Sequence, residues 1–173
     1  ITRRVERRVS LTDSKDLASY ERHLEREPQE LAALYQDLLI GVTQFFRDPE
    51  CFLALEREVL PRILEQVPPG EEIRVWVAGC ASGEEAYSIA ILLNEQLHAA
   101  DRAVQVKILA TDVHRGALEH ASAGLYTDEE LEHVDERRRD RYFTRRHGRW
   151  QVSQDLRQMI VFAPHDATRD APF

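Results

Sequence analysis

The chain has 173 residues and a mass of 20.0 kDa, the length of one domain or of one small domain joined to another. Apolar residues make up 43% and charged residues 31%, as in ordinary globular proteins. The net charge of −8 argues against a nucleic-acid-binding protein, because the phosphate backbone selects basic surfaces. No apolar run approaches the roughly 18 residues that a membrane-spanning helix needs, so we expect no membrane insertion.

The cysteines and the N-terminal residues bear on the cellular compartment. Two cysteines, Cys51 and Cys80, are too few for a disulfide framework, which favours the reducing cytoplasm. Arginines are frequent near the N-terminus, but no apolar segment follows them, so we predict no secretory signal. The histidines are scattered without metal-ligand spacing, and we therefore predict no metal site.

Arginines are concentrated in two short stretches. Residues 1–8 hold four arginines against one glutamate, and Arg137–Arg149 holds seven arginines against Asp140 alone. Such stretches could bind an acidic partner, although a basic, solvated helix face is the more common role of this pattern. Both explanations stay open at this point.

Residues 1–40 predict a small all-helical subdomain, because they show no strand pattern. Leu17, Tyr20 and Leu24 fall on one face of a short helix. Pro28 is suited to the first position of the next helix, where its missing N–H breaks no hydrogen bond. Gly41 is expected to end that helix.

Residues 41–70 predict a connecting segment followed by a helix. Asp48 is suited to the N-cap and Pro49 to the first helical position, and Pro61 would interrupt or kink the helix. Val67–Gly70, with two prolines and a glycine, is the best candidate for a subdomain boundary. The apolar positions with helical spacing, which we expect to face a core, are Phe52, Leu55, Val59, Leu60 and Ile63.

Residues 71–173 alternate between strand and helix patterns. The predicted strands are 73–79, 104–111, 150–152 (an edge strand after the His147-Gly148 turn) and 159–163, and the predicted helices are 84–97, 115–123 and 131–143. Because the order β-α-β-α-β is typical of a parallel sheet with right-handed crossovers, we predict an α/β domain.

The strongest local signal is the glycine turn between the first predicted strand and its helix. Gly79 and Gly83 enclose three residues, with Ala81 where a dinucleotide-binding turn has its second glycine. Glu84 and Glu85 then begin the helix, at the place where a phosphate would bind. Two carboxylates repel a diphosphate but suit a cationic ligand. This argues against a nicotinamide-dependent enzyme, although a bare turn of this kind is structural about as often as it binds a ligand.

An acid follows the second predicted strand. Asp112 is placed to accept hydrogen bonds from both hydroxyls of a ribose, and it could also be the N-cap of the helix that begins near Arg115. Cys80 lies near a helix N-terminus, which lowers a thiol pKa, but the neighbouring glutamates oppose this effect. We therefore predict no nucleophilic cysteine.

Several motifs, in this order, resemble those of the chemotaxis-type protein-glutamate O-methyltransferases (CheR). The resemblance covers essentially the whole chain. The segments that carry it are Val42–Pro49 (VTQFFRDP), Arg74–Ser88 (RVWVAGCASGEEAYS), Leu109–Asp112 (LATD), Ala123–Tyr126 (AGLY) and Leu156–Asp166 (LRQMIVFAPHD).

This resemblance implies a fold and an activity. The fold is α/β. It consists of a small all-helical N-terminal subdomain (1–40), a connecting segment and helix (41–70), and a Rossmann-like methyltransferase sheet (71–173) truncated at its C-terminus. The activity is methyl transfer from S-adenosylmethionine to a glutamate side chain of a cytoplasmic chemoreceptor domain, with S-adenosylhomocysteine as product. The sulfonium is the cation that the acidic turn anticipates.

The resemblance also assigns cofactor-binding residues. They are Thr43 and Arg47 in the connecting segment, Ala78, Gly79 and Glu84 around the glycine turn, Asp112 for the ribose, and Asp166 and Ala167 beside the adenine. Thr43 could instead cap a helix, and Arg47 could pair with an acid. Arg47 is also a candidate catalytic residue, since a basic group would keep the acceptor carboxylate ionised. The chain departs from the family at Gly41 and Asp166, where asparagine is common, and at Ala86, where proline is usual.

Two further expectations follow from the resemblance. Family sheets continue after the third strand, so the chain is expected to be part of a longer methyltransferase, with Ile73–Gly79 left as an exposed apolar edge. The alternative function is a non-catalytic module, derived from this family, that binds S-adenosylmethionine, S-adenosylhomocysteine or a receptor.

Overall fold

The computed structural model describes residues 2–38, 43–68 and 70–171, in two compact units, Ile1–Gly41 and Val42–Phe173. The helix predicted within 41–70 belongs to the second unit, together with the sheet. Gly41, which was expected to end the third helix, and Pro69 of the expected boundary segment Val67–Gly70 lie outside the described residues. No helix of the described ranges is long and apolar enough to cross a membrane.

The first unit contains helices α1 (Thr2–Leu11), α2 (Leu17–Arg26) and α3 (Pro28–Leu38), in agreement with the helical prediction. A capping box begins α2. The Asp16 carboxylate accepts a hydrogen bond from the Ser19 amide at 2.7 Å, and the Ser19 hydroxyl accepts one from the Asp16 amide at 3.1 Å. These two bonds satisfy amides that a helix N-terminus leaves without partners.

A polar cluster joins the three helices of this unit. The Arg8 guanidinium donates two hydrogen bonds to the Glu30 carboxylate, one of them at 2.9 Å, and the Tyr20 hydroxyl donates a third at 2.7 Å. Tyr20 is 2% exposed. The bonds from Arg8, with a smaller contribution from Tyr20, lower the pKa of Glu30, so this carboxylate is ionised wherever the unit is folded near neutral pH.

The second unit is built on a parallel sheet. Its elements are α4 (Pro49–Ala54), a π-helical turn (Leu55–Val59), α5 (Leu60–Gln66), β1 (Glu72–Ala78), α6 (Glu84–Ala99), β2 (Gln105–Asp112), α7 (Arg115–Ala123), β3 (Leu125–Tyr126), α8 (Glu136–Tyr142), β4 (Phe143–Arg146), β5 (Arg149–Val152), α9 (Gln154–Met159) and β6 (Ile160–Pro164). The order β1-β2-β6 with parallel pairing confirms the predicted α/β architecture. Strand β1 lies at an edge of the described sheet, where Trp76 is 46% exposed.

The helix predicted to begin after Asp48 differs from the structure in two respects. Asp48 stands at the N-cap position, but its backbone is left-handed (φ 56°) and its side chain makes no capping bond. The interruption ascribed to Pro61 takes the form of the π-helical turn just before it. Because proline lacks an N–H, the regular helical hydrogen-bond pattern cannot continue through it, and the wider turn accommodates the change.

The segment 131–152 was only partly predicted. The helix is shorter than the expected 131–143, and Phe143 already belongs to β4. Residues 150–152 form a strand as predicted, but β5 is the centre of the antiparallel sheet β3-β5-β4 and not an edge. His147 (φ 47°) and Gly148 (φ 80°) make the two-residue turn of a hairpin, which pairs β4 with β5.

Replacing Glu30 tests the polar cluster of the first unit. Glu30→Gln should lower the free energy of unfolding by about 1–3 kcal/mol near neutral pH, because hydrogen bonds to a charged group are lost. A carboxylate whose folded pKa is depressed stabilises the protein above its unfolded pKa (about 4.3) and loses that effect as the pH falls through the folded pKa. The difference between variant and parent should therefore shrink in acid, as measured by thermal unfolding at several pH values.

Glu25→Gln is the matched control, because Glu25 is exposed on α2. It should unfold like the parent at every pH. Equal losses of stability for the two variants would contradict the role given to Glu30.

Candidate functional site

Three loops meet at the carboxyl ends of the parallel strands. The loop Gly79–Gly83 follows β1, Asp112 ends β2, and His165 follows β6. The amides of Gly79 and Cys80 both donate to the Thr111 carbonyl, at 2.7 and 2.9 Å. The His165 amide donates to the Asp112 carbonyl at 3.1 Å. The three loops are therefore hydrogen-bonded to one another through β2, at the edge where ligands of open α/β sheets bind.

The Asp112 carboxylate holds two of these loops. One oxygen accepts the Ala81 amide at 2.8 Å, and the other accepts the His114 amide at 2.8 Å. The alternative role of Asp112 as helix cap is wrong, because the N-cap of α7 is His114, whose Nδ1 accepts the Ala117 amide at 3.0 Å. Each carboxylate oxygen keeps a further lone pair, so Asp112 can brace the loops and still accept hydrogen bonds from a ligand.

The two glycines of the turn serve different purposes. Gly79 has φ 73°, and a Cβ added to it would meet no atom within 4 Å, so the backbone is uncovered there. Gly83 has φ 94°, and a Cβ added to it would lie 2.7 Å from the Ala121 side chain. Gly79 thus leaves an open surface at the carboxyl edge, while Gly83 allows the turn to pack closely on α7.

Glu84 is a buried acid at the start of α6. It is 3% exposed, and both carboxylate oxygens lie within 2.9 Å of the Ser82 hydroxyl. Burial raises the pKa of Glu84, although its own backbone amide and the Ser82 bond oppose the shift. A cation bound beside Glu84 would relieve the cost of burying its negative charge.

The turn is supported from behind by Tyr126, which sequence reasoning did not place in the site. Its hydroxyl donates to the Ser82 carbonyl at 2.7 Å, and its ring is fully buried against Phe45 at 4.9 Å between centroids. Tyr126 belongs to the motif Ala123–Tyr126, one of the segments that carry the family resemblance. The available signal was an aromatic residue two positions after the glycine, Gly124, that ends α7.

The residues predicted in the connecting segment are Thr43 and Arg47. Thr43 is half-buried, and Arg47 is exposed at a cavity of about 520 Å³, with its Nε 4.0 Å from the Asp48 carboxylate. The other residues that line this cavity are Asp48, Cys51, Phe52, Ala54, Leu55, Val59, Glu85 and Ile89. Phe45 and Phe46 are core residues, 0% and 9% exposed.

Asp166 and Ala167 follow β6, half-buried and exposed respectively. One Asp166 oxygen accepts both the amide and the hydroxyl of Thr168, at 2.9 and 2.6 Å, and these bonds lower the pKa of Asp166. The structure thus brings Ala78, Gly79, Glu84, Asp112 and Asp166 to one edge of the sheet. It does not give Asp166 a fully free carboxylate.

The Cys80 thiol is not suited to act as a nucleophile. Cys80 is 1% exposed, and burial, followed by the negative charge of Asp112, raises its pKa to about 12. It is therefore protonated at neutral pH and unreactive. Cys51 is exposed. Within 2–38, 43–68 and 70–171, no group of three or more His, Cys, Asp or Glu residues is arranged to hold a metal ion.

The chemistry of these groups fits a nucleoside that carries a positive charge. The uncovered turn at Gly79 offers room, Asp112 offers acceptors for hydroxyl groups, and the buried Glu84 offers a negative charge. A diphosphate would instead meet two carboxylates at the start of α6.

A family model and several relatives of known sequence match this chain. A family model described as the CheR methyltransferase, SAM binding domain, matches residues 41–173. The chain is 40% identical to an uncharacterized 104.1 kDa protein in the hypE 3′ region of Rhodobacter capsulatus, over 100% of this chain and 18% of that protein. It is 36% identical to chemotaxis protein methyltransferase 2 of Pseudomonas aeruginosa, over 92% of this chain and 56% of the relative.

A third relative is chemotaxis protein methyltransferase 2 of Vibrio cholerae, 32% identical over 94% of this chain and 57% of the relative. The chain therefore spans less than two thirds of the length of each of these relatives.

A glycine comparison tests the packing of the turn. Gly83→Ala should lower the free energy of unfolding by about 2–5 kcal/mol, because left-handed strain and overpacking against Ala121 add together. Gly148→Ala has the same kind of strain (φ 80°) but an open environment, and should cost only about 1–2 kcal/mol. Chemical denaturation measures both values, and equal losses would show that the contact with α7 is unimportant.

Proposed function

The chain belongs to the CheR methyltransferase family, and from that membership we propose that it methylates glutamate side chains of chemoreceptors. S-Adenosylmethionine is the methyl donor of this family's domain. The observation that carries the proposal is the buried carboxylate of Glu84, at the same sheet edge as Asp112 and directly after an uncovered glycine turn. This combination suits a cationic nucleoside.

The proposed cofactor site uses the residues around that edge. Glu84 faces the positive charge, Asp112 accepts hydrogen bonds from the ribose, and Ala78 and Gly79 form the uncovered surface below it. Asp166 and Ala167 lie beside the adenine, where the Asp166 oxygen not bonded to Thr168 can accept a hydrogen bond. Thr43 and Arg47 contact the cofactor from the connecting segment. When bound, S-adenosylmethionine supplies a methyl group on a sulfonium whose leaving group is a neutral thioether.

The protein's part in the reaction is to position and to exclude water. No covalent enzyme intermediate is needed, in keeping with the raised pKa of the Cys80 thiol. Arg47, exposed at its cavity, holds the acceptor carboxylate in line and keeps it ionised, because a neighbouring cation lowers a carboxyl pKa. Orientation of this kind removes much of the entropic barrier to a two-reactant step.

The proposed partner is the cytoplasmic domain of a chemoreceptor, which places the protein in the cytoplasm. The net charge of −8 is consistent with a protein partner and with no role in binding nucleic acid. The names of the Pseudomonas aeruginosa and Vibrio cholerae relatives support the link to chemotaxis.

Because the pKa of Glu84 is raised, the affinity for S-adenosylmethionine should depend on pH. S-Adenosylmethionine should bind most tightly where Glu84 is ionised and more weakly as the pH falls through its raised pKa, which lies above the usual glutamate value of about 4.3. Calorimetric titrations at a series of pH values from about 4.3, the usual glutamate pKa, up to about pH 7 measure this trend. Glu84→Gln should bind weakly at every pH and lose the trend.

Asp166→Asn is the matched control for that series. The pKa of Asp166 is lowered, so this acid stays ionised over the same range and its replacement should leave the trend intact. If Glu84→Gln kept the pH dependence of the parent, Glu84 would not be the group that meets the charge.

The function itself is tested by binding and by transfer. The chain should bind S-adenosylhomocysteine and not NAD in calorimetric titrations, and Asp112→Asn should weaken that binding about tenfold, as loss of a charged hydrogen-bond acceptor does. With methyl-labelled cofactor, label should appear on receptor glutamates as an alkali-labile ester. Binding without transfer would favour the non-catalytic module, and preference for NAD would refute both functions.

A further inference from the structure

Arg47 is presented by a strained turn. The residues on either side of it, Phe46 (φ 50°) and Asp48 (φ 56°), both have left-handed backbones. This conformation is unfavourable for residues with a side chain, and most of all for a bulky one such as phenylalanine. Two such residues around one exposed arginine persist only if the surrounding structure holds them.

One hydroxyl holds the backbone of this turn. The Phe46 amide donates to the Ser88 Oγ at 3.0 Å, and the Ser88 hydroxyl in turn donates to the Glu84 carbonyl at 2.7 Å. Ser88 is fully buried, so no water can replace it. A bond from a helical serine to the carbonyl four residues earlier is common, but the second bond, to a strained residue 42 positions away, is not explained by helix geometry.

The side chain of Phe46 is contacted by Arg138 of α8, which is itself bonded to the helix that carries Ser88. The Arg138 guanidinium lies 4.7 Å from the centre of the Phe46 ring and donates to both oxygens of Glu95, at 3.2, 3.1 and 2.7 Å. Glu95 and Ser88 both belong to α6, whose first residue is Glu84. Helix α6 therefore holds the backbone of the Arg47 turn directly through Ser88, and it reaches the Phe46 ring only through Arg138 of α8.

We propose that Ser88 is a positioning residue of the methyltransferase site. Its hydroxyl ties the Phe46 amide to the first turn of α6 and so places Arg47 relative to Glu84. Without that hydroxyl the amide is buried with no acceptor, and the turn relaxes away from its left-handed conformation. The inference rests on the proposed function only in taking Arg47 as a contact of the cofactor.

The test is a double-mutant cycle on the affinity for S-adenosylhomocysteine. Ser88→Ala and Arg47→Ala should each weaken binding about tenfold, and the double variant should bind no more weakly than Arg47→Ala alone, because Ser88 acts through Arg47. Additive losses would overturn the proposal, as would an unchanged affinity of Ser88→Ala. Ser88→Thr, which keeps the hydroxyl, should restore most of the affinity of the parent.

Two further measurements separate positioning from general destabilisation. Leu93→Val truncates another fully buried side chain of α6. It should lower the melting temperature without lowering the affinity for S-adenosylhomocysteine. Hydrogen exchange at the Phe46 amide should accelerate in Ser88→Ala and not in Leu93→Val, in the absence of any ligand. Failure of the unmodified chain to bind S-adenosylhomocysteine would refute the proposed function and this inference together, whereas equal exchange rates at Phe46 would refute the inference alone.

Discussion

The site depends on the hydrogen bonds that the Asp112 carboxylate accepts from two backbone amides. The carboxylate accepts the Ala81 amide from the loop after β1 and the His114 amide before α7. Both oxygens are thus engaged with backbone groups, and charge-assisted bonds of this kind are stronger than neutral ones. The glycine turn keeps a left-handed residue at Ala81 (φ 46°) because its amide has this partner. The ligand surface and the loop geometry therefore depend on one side chain.

Around that carboxylate, buried side chains support the turn so that its outer surface can stay open. Tyr126 donates to the Ser82 carbonyl, and Gly83 lets the backbone approach Ala121. On the outer side of the turn, the backbone of Gly79 is uncovered. The side chain of Glu84, just after the turn, is shielded from bulk water. A buried acid is costly unless a cation or hydrogen bonds compensate it, and this cost favours a positively charged ligand over a neutral one.

Three arginines of the segment 137–149 help to hold the second unit together. Arg138, with a side chain only 19% exposed, is bonded to Glu95, and Arg145 is paired with Asp128. The guanidiniums of Arg139 and Arg145 lie over the ring of Trp150. A solvated helix face therefore explains only part of this arginine-rich stretch, because several of its arginines bind acids and aromatic rings of the same unit.

The sequence by itself determined the local elements and the chemistry of the turn. Strands β1 and β2 and helices α6 and α7 follow from apolar periodicity and glycine positions, which are properties of short segments. The tertiary structure alone decided that β5 is a central strand, that Asp48 is left-handed, and that Phe46 meets Ser88. Each of these depends on which distant segments pack together, and a pattern within one segment does not encode the partner it will meet.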